Sequence, residues 1–271
     1  MNIKDKVGVI TGAASGIGRA LAEELANRGA KAVGMVDQSD QVESVARELN
    51  DKAGREVAIP FQGDVSDEHF RQEVFRELRA NHGVVSMCVP AAGITRDRLA
   101  VKSNKETKEI EIYPSYLFRQ VTEINLIAPI YWALEMVAQI ATDRKERGLK
   151  RWDPSEGMQG VVVFIGSVSS LGNKGQIAYA ATKAGLEGAA STIMKESIFH
   201  GVRSGVIHPG YTNTPMVRAL GEDFINEHII PQTQLRRLIE PAEIADAICF
   251  MINNVAVSGS LWADAGWHPM A

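Results

Sequence analysis

Val7-Gly8-Val9-Ile10-Thr11-Gly12-Ala13-Ala14-Ser15-Gly16-Ile17-Gly18 decides how the rest of the chain is read. Val7 to Thr11 is an apolar run of strand length, and Gly12, Gly16 and Gly18 make a turn. Ile17, Leu21, Ala22 and Leu25 then recur at helical spacing until Gly29 stops the helix. A strand that turns through glycines into a helix aims backbone N–H groups at one point. A pyrophosphate is held there by those groups and by the helix dipole. The strand–turn–helix context is what lifts this stretch above a chance Gly-rich loop.

Outward from it, the same rhythm repeats. Strands are predicted at Ala32 to Asp37, Val57 to Gln62, Val84 to Val89, Val161 to Ile165, Val202 to Ile207 and Ser258 to Ala263. Helical patterns lie between them, one capped by Asp40 and Glu43, one started by Ser66 or Asp67, and one opening at Glu240-Pro241. A long helix is expected over Ser115 to Asp143, and another carries Tyr179 to about Phe199. Strands alternating with helices make an α/β fold, a doubly wound parallel sheet with right-handed crossovers. The rhythm breaks at Thr95 to Glu111, read as charged and irregular, and at the polar stretch Thr142 to Gln159. A mixed segment at about 212–235 reads as a substrate lid.

The chain has 271 residues, 45% hydrophobic and 23% charged, enough for a sizeable core in a single domain over 1–271. Its net charge of -4 argues against a nucleic-acid partner, which needs a basic patch. Arg144, Lys145, Arg147, Lys150 and Arg151 are broken by Asp143 and Glu146 and read as a solvated loop. Cys88 and Cys249 read as buried free thiols, which suits a reducing cytoplasm. The six histidines lack metal-ligand spacing, so no metal is expected. No signal region precedes Val7, and no apolar run reads as long enough to span a membrane.

Two further features carry chemistry. Asp37 ends the second strand, where a carboxylate meets the ribose of a bound dinucleotide. Ser39 and Asp40 are better placed to cap the next helix, which leaves Asp37 free. Its charge would repel a 2′-phosphate, and Ser15 and Gln38 supply no cation for one, so NAD is expected over NADP. Tyr179 and Lys183, four apart on a helix, share one face. A free Tyr titrates near ~10. A cation one turn away is expected to lower that value, and the upstream Ser167 can hold an alcohol or ketone oxygen.

These motifs, taken in order, resemble the short-chain dehydrogenase/reductase family over essentially the whole chain, and imply its Rossmann fold with a mostly seven-stranded parallel sheet. The resemblance implies cofactor contacts from Gly12, Ser15, Gly16, Ile17 and Gly18, from Asp37, and from Asp64 and Val65 at the adenine. It implies more from Ala92 and Gly93, and from Pro209, Gly210, Thr212 and Thr214 at the nicotinamide. It makes Tyr179 the general acid/base, Ser167 the group that orients the substrate oxygen, and Lys183 a ribose ligand. Asn125 would hold a relay water. Two departures stand out. Pro90-Ala91-Ala92-Gly93 replaces the usual Asn-Asn-Ala-Gly, and the Ser167-to-Tyr179 interval is one residue short, which makes Ser169 a rival.

Gly93-Ile94-Thr95-Arg96-Asp97 and Gly172-Asn173-Lys174-Gly175-Gln176 are similar to the 3-oxoacyl-carrier-protein reductases, which mostly use NADPH. The longer segments resemble the NAD-dependent 3-hydroxyacyl-CoA dehydrogenases. The expectation is an NAD-dependent enzyme acting on a secondary alcohol or ketone, a small-molecule substrate such as a 3-hydroxyacyl thioester. The alternatives are an NADPH-linked 3-oxoacyl ketoreductase and a non-catalytic NAD-binding protein on the same fold. Small residues at Ala180, Ala181, Ala184, Gly185, Gly188, Ala189 and Ala190 suggest close helix packing. In the family this helix joins subunits, so a homo-oligomer, tetramer or dimer, is expected.

Overall fold

The computed structural model describes residues 1–267. Seven parallel strands form one sheet: β1 Val7–Thr11, β2 Ala32–Asp37, β3 Ala58–Gln62, β4 Val85–Pro90, β7 Gly160–Ile165, β8 Val202–Pro209 and β9 Gly259–Ala263. Their order is β3-β2-β1-β4-β7-β8-β9. The chain runs outward one way from β1 through β2 to β3, then returns to β4 and runs the other way. That reversal between β1 and β4 opens a crevice at the carboxyl ends of the strands.

Helices cover both faces because each strand is apolar on both sides. On one face lie α1 (Gly16–Asn27), α2 (Gln41–Ala53) and α9 (Pro241–Asn253), which bury Leu21, Leu25, Val45, Leu49, Ile244 and Ile248 with Ile10. On the other lie α3 (Glu68–His82), α5 (Ala128–Glu146) and α6 (Ile177–Ser197), which bury Phe75, Leu78, Trp132, Met136, Leu186 and Ile193 with Val9. Trp132 is fully buried, and its indole donates to the Val65 carbonyl at 2.9 Å. Cys88 and Cys249 are buried free thiols.

Several expectations need correction. The segment read as irregular holds an antiparallel hairpin, β5 (Val101–Ser103) with β6 (Ile110–Ile112). The long helix is not uniform: α4 (Ser115–Thr122) passes through a π turn at Glu123–Ile127 into α5. Arg144 does not belong to a solvated cluster. It is 1% exposed and forks onto Glu156 at 2.6 and 3.1 Å, while Asp153 and Glu156 form a capping box around a 3-10 turn. That pairing orders the polar stretch after α5.

The helix spanning Ser115–Glu146 is long and apolar enough, by length and composition, to cross a membrane. The sequence reading excluded any such run. Here the helix lays Trp132, Ala133, Met136 and Ile140 against the sheet, as a core helix does. The lid segment is a series of short turns, α7 (Pro215–Arg218), α8 (Glu222–Phe224) and a π turn at Ile225–Ile229. Ile225, Ile229 and Leu238 give it a small apolar cluster of its own.

Candidate active site

The glycine turn after β1 is built by close approach. Gly12 has φ +67°, and a Cβ there would lie 2.8 Å from the Ala92 Cα. A Cβ on Gly18 would lie 2.2 Å from the Gly12 carbonyl oxygen. Any side chain at either position would force the turn open, so the backbone N–H groups at the start of α1 are left bare. Gly16 has φ +54° and faces Thr214, with 3.0 Å between a built Cβ and the Thr214 methyl. The segment after β8 therefore lies directly over the turn.

β4 delivers Pro90 in register with Thr11. The side-chain amides missing there are replaced from β1: Thr11 accepts from the Ala91 amide at its carbonyl, 3.2 Å, and from the Ala92 amide at Oγ1, 3.1 Å.

Asp37 is not free, contrary to expectation. Its Oδ2 accepts from the Ala14 amide at 3.0 Å and its Oδ1 from the Ser39 amide at 3.0 Å. The carboxylate thus ties the glycine turn to the end of β2. Each oxygen keeps a lone pair for a ligand hydroxyl. Asp64 accepts from the Ser66 amide and hydroxyl at Oδ1, at 2.9 and 2.7 Å.

A cleft of about 320 Å³ runs between these parts. Gly12, Ser15, Gly16, Ile17, Gly18, Asp37, Asp64, Val65, Ala92, Gly93, Tyr179, Lys183 and Thr214 line it, as does the unforeseen pair Pro215 and Met216. Pro209, Gly210 and Thr212 are not among the lining residues. Gly210 instead packs on the Asp264 backbone, 2.7 Å from a built Cβ, and the buried Thr212 hydroxyl donates to the Gly210 carbonyl at 3.1 Å. These residues shape the segment that carries Thr214. Among the described residues no group of three or more His, Cys, Asp or Glu side chains is placed to hold a metal.

α6 brings Tyr179 and Lys183 to the cleft; Ser167, on the turn after β7, is not among the lining residues and stands beside Tyr179. The Ser167 hydroxyl accepts from the Ser169 amide at 3.0 Å and is close enough to Tyr179 to act on its phenol. Ser169, the rival, donates its hydroxyl to Gln176 Oε1 at 2.8 Å. Gln176 also accepts from Asn173 at 3.0 Å and donates to Asp97 at 2.8 Å. Ser169 is therefore committed to a polar wall, and Ser167 is the serine that faces the tyrosine.

Burial pushes the Tyr179 phenol up to about 12. The Ser167 hydroxyl nearby pulls it down, while Asp97 and Tyr211 push it further up. This corrects the expectation from spacing, because Lys183 is not among the groups that set it. The Lys183 ammonium lies 5.6 Å from the Tyr179 ring centroid and donates to the Ile165 carbonyl at 2.7 Å. Burial without a carboxylate partner pushes Lys183 down to about 8.

Asn125 is fully buried in the π turn. Its Oδ1 accepts from the Ile94 amide at 2.9 Å and its Nδ2 donates to the Ile94 carbonyl at 2.8 Å. The side chain is a clamp on the loop after β4, not a group turned toward water. Sequence reasoning missed His208, a fully buried histidine behind Ser167. A polar residue ending an otherwise apolar strand, just before Pro209-Gly210, was its signal.

The chain is 32% identical over 257 residues to the 3-oxoacyl-[acyl-carrier-protein] reductase FabG of Escherichia coli, covering 94% of this chain and 93% of that one. It is 30% identical over 256 residues to the 3-oxoacyl-[acyl-carrier-protein] reductase of Homo sapiens, covering 94% of each. The crystal structure of gox2181 superposes with a TM-score of 0.79 at 25% identity, over 97% of this chain and 96% of that one. Residues 6–224 match the model of the short chain dehydrogenases, and with the sheet order and the glycine turn this places the chain in that family.

Proposed function

We propose that the protein is an NAD(H)-linked oxidoreductase that interconverts a secondary alcohol and a ketone. The observation that carries this is Tyr179 and Lys183, with Ser167 beside the tyrosine, at one end of a cleft whose other end is the glycine turn. When bound, the nicotinamide supplies or accepts the hydride. Ser167 holds the substrate oxygen, and Tyr179 gives it a proton in reduction or takes one in oxidation. A phenol kept protonated by burial is ready for the reductive direction. Lys183, beside Gly93 and over the tyrosine ring, is placed for a ribose hydroxyl. Asn125 acts by holding Ile94, which lines the cleft.

NAD is favoured by charge. Asp37 and Gln38 line the adenosine end, and among the described residues Lys183 is the one cation in the lining. A 2′-phosphate there would meet a carboxylate and no lining cation. The relatives' names point to a 3-oxoacyl thioester as the substrate class, and the Gly93 to Asp97 and Gly172 to Gln176 segments support it. The same reading makes the protein a homo-oligomer joined through the outer faces of α5 and α6.

The test is reduction of acetoacetyl-CoA with NADH and NADPH side by side. NADH should be preferred. Tyr179→Phe should lower kcat by roughly 10²–10⁴-fold, the range for loss of a general acid, with NADH binding retained. Turnover unaffected by that change would refute the assignment. NADH binding without turnover on any ketone would favour the non-catalytic alternative.

A further inference from the structure

We propose that His208 is a positioning residue for Ser167, and that the protonation state of its ring decides whether the Ser167 backbone is held in its working place. The proposal rests on the reading of Ser167 as the substrate-oxygen group.

His208 comes from β8 and is fully buried. Its Nδ1 lies 3.3 Å from the Ser167 amide nitrogen, 3.1 Å from the Ser167 carbonyl oxygen and 3.3 Å from Ser170 Oγ. The ring is thus seated on the main chain that carries the Ser167 hydroxyl. Trp262 of β9 stacks on it, 4.3 Å between centroids and 15° between planes. A Cβ on Gly166 would lie 2.5 Å from His208 Nδ1, so this glycine is what lets the ring come so close.

A single ring nitrogen cannot serve the amide and the carbonyl of Ser167 together. The amide needs an acceptor and the carbonyl needs a donor. The other nitrogen decides. Nε2 lies 3.5 Å from Glu187 Oε1 and has no hydrogen-bond partner among the described residues. A carboxylate there favours Nε2–H, which leaves Nδ1 bare to accept from the Ser167 amide and the Ser170 hydroxyl. Protonation puts a hydrogen on Nδ1. The ring then turns away the Ser167 amide and takes the Ser167 carbonyl instead, and the backbone on which the Ser167 hydroxyl stands must rotate.

The groups facing the ring are Glu187 and Lys183 from α6, Ser167 and Ser170 from the turn after β7, and Trp262 from β9. Burial leads in holding the ring neutral and Lys183 adds to it, while Glu187 and the Ser167 carbonyl oppose them. The net displacement is to the acid side of an ordinary histidine. Protonation of His208 is therefore expected to appear as an acid limb of activity below that range.

The test uses the full-length protein and acetoacetyl-CoA reduction by NADH across about pH 5 to 9. His208→Ala should lower kcat on the order of tenfold to a hundredfold, the scale of a misplaced reacting group, with the KM for NADH unmoved. His208→Asn keeps a polar acceptor at the δ position and cannot titrate. It should recover most of the kcat lost in the alanine variant and lack the acid limb. Glu187→Gln should move that limb further acid. Without cofactor or substrate, ring-nitrogen chemical shifts of ¹⁵N-histidine-labelled protein should show the Nε2–H tautomer at His208, identified by its loss in His208→Asn. An Nδ1–H tautomer at neutral pH, an acid limb that persists in His208→Asn, or an unaltered kcat in His208→Ala overturns the proposal. Ser167→Ala separates the two levels. If it is inactive while His208→Ala is not, only the role of His208 falls. If Ser167→Ala turns over normally, the role given to Ser167 falls first.

Discussion

Lys183 is an ammonium nine-tenths buried beside a neutral phenol, with a carbonyl as its partner and no carboxylate. Desolvation on those terms is costly, and it shows as a pKa near 8 against an ordinary value of 10.5. Below about 8 the lysine is charged in both folded and unfolded chains, and the full cost is present. Between about 8 and 10.5 the unfolded chain binds the extra proton, so stability rises with pH. The gain over that window is about 3 kcal/mol, from 1.36 kcal/mol per pKa unit. Cys88, Cys249 and Tyr179, which burial keeps protonated, act in the opposite sense toward the alkaline end. The rise should therefore appear as the difference between the natural protein and Lys183→Met in denaturant unfolding, without cofactor, at a series of pH values. Parallel curves for the two proteins would mean that the ammonium is better solvated than its burial indicates. Asp37 presents the opposite case, a carboxylate held by two amides with capacity left over. Asp37→Ala should weaken NAD binding by on the order of tenfold or more, since a hydrogen bond to a charged acceptor contributes ~1.5–3 kcal/mol. It should also narrow the gap to NADP, because the repulsion goes with the charge. Isothermal titration with both cofactors decides this, and equal affinities before and after would remove Asp37 from cofactor selection.

At the scale of elements, the π turn between α4 and α5 does what a plain helix could not. One extra residue per turn carries Asn125 inward, where it grips both backbone groups of Ile94. Asn125→Ala leaves the half-buried amide and carbonyl of Ile94 without this partner. It should cost about 1–3 kcal/mol in unfolding free energy, the penalty for stranded polar groups, and raise the KM for NADH as the loop after β4 loosens. Stability and KM both unchanged would show that water replaces the clamp. The sheet strands, the glycine turn and α6 were legible because each follows a local rule of periodicity or turn chemistry. The π turn was not, since one inserted residue leaves the apolar repeat of a long helix nearly intact. The β5–β6 hairpin escaped because its strands are three residues long and its apolar residues, Val101, Ile110 and Ile112, are exposed. Arg144 pairs with a glutamate twelve residues on, and His208 meets Ser167 from 41 residues away. Neither distance is visible in spacing. The lysine–tyrosine pair shows the complementary error. Spacing placed both on one face, but the pKa of each is set by how deeply the fold buries it.

For the molecule as a whole, the proposed homo-oligomer would join through the outer faces of α5 and α6. Ile127, Tyr131 and Leu134 are exposed large apolar side chains on and beside α5. Ala181, Ala184 and Gly188 are exposed on α6, so these members of the small-residue stripe are not covered within the chain, whereas Ala190 is buried in the core. Gly185 is met by Leu126, at 3.0 Å from a built Cβ. A helix face kept this small admits another helix backbone at short range, and the apolar side chains beside it supply the area to bury. Gly188 has open space around a built Cβ, with nothing within 4 Å. Within one subunit Gly188→Glu should therefore be tolerated, and mildly stabilising, because glycine in a helix interior costs roughly 0.5–1 kcal/mol. Between subunits the same change buries a charge and fills the contact. Light scattering coupled to size exclusion should find a dimer or tetramer for the natural sequence and a smaller species for Gly188→Glu, with unchanged circular dichroism. A natural protein that elutes as a monomer, or a variant that assembles as before, would place subunit contact elsewhere and leave the stripe as an unburied helix surface.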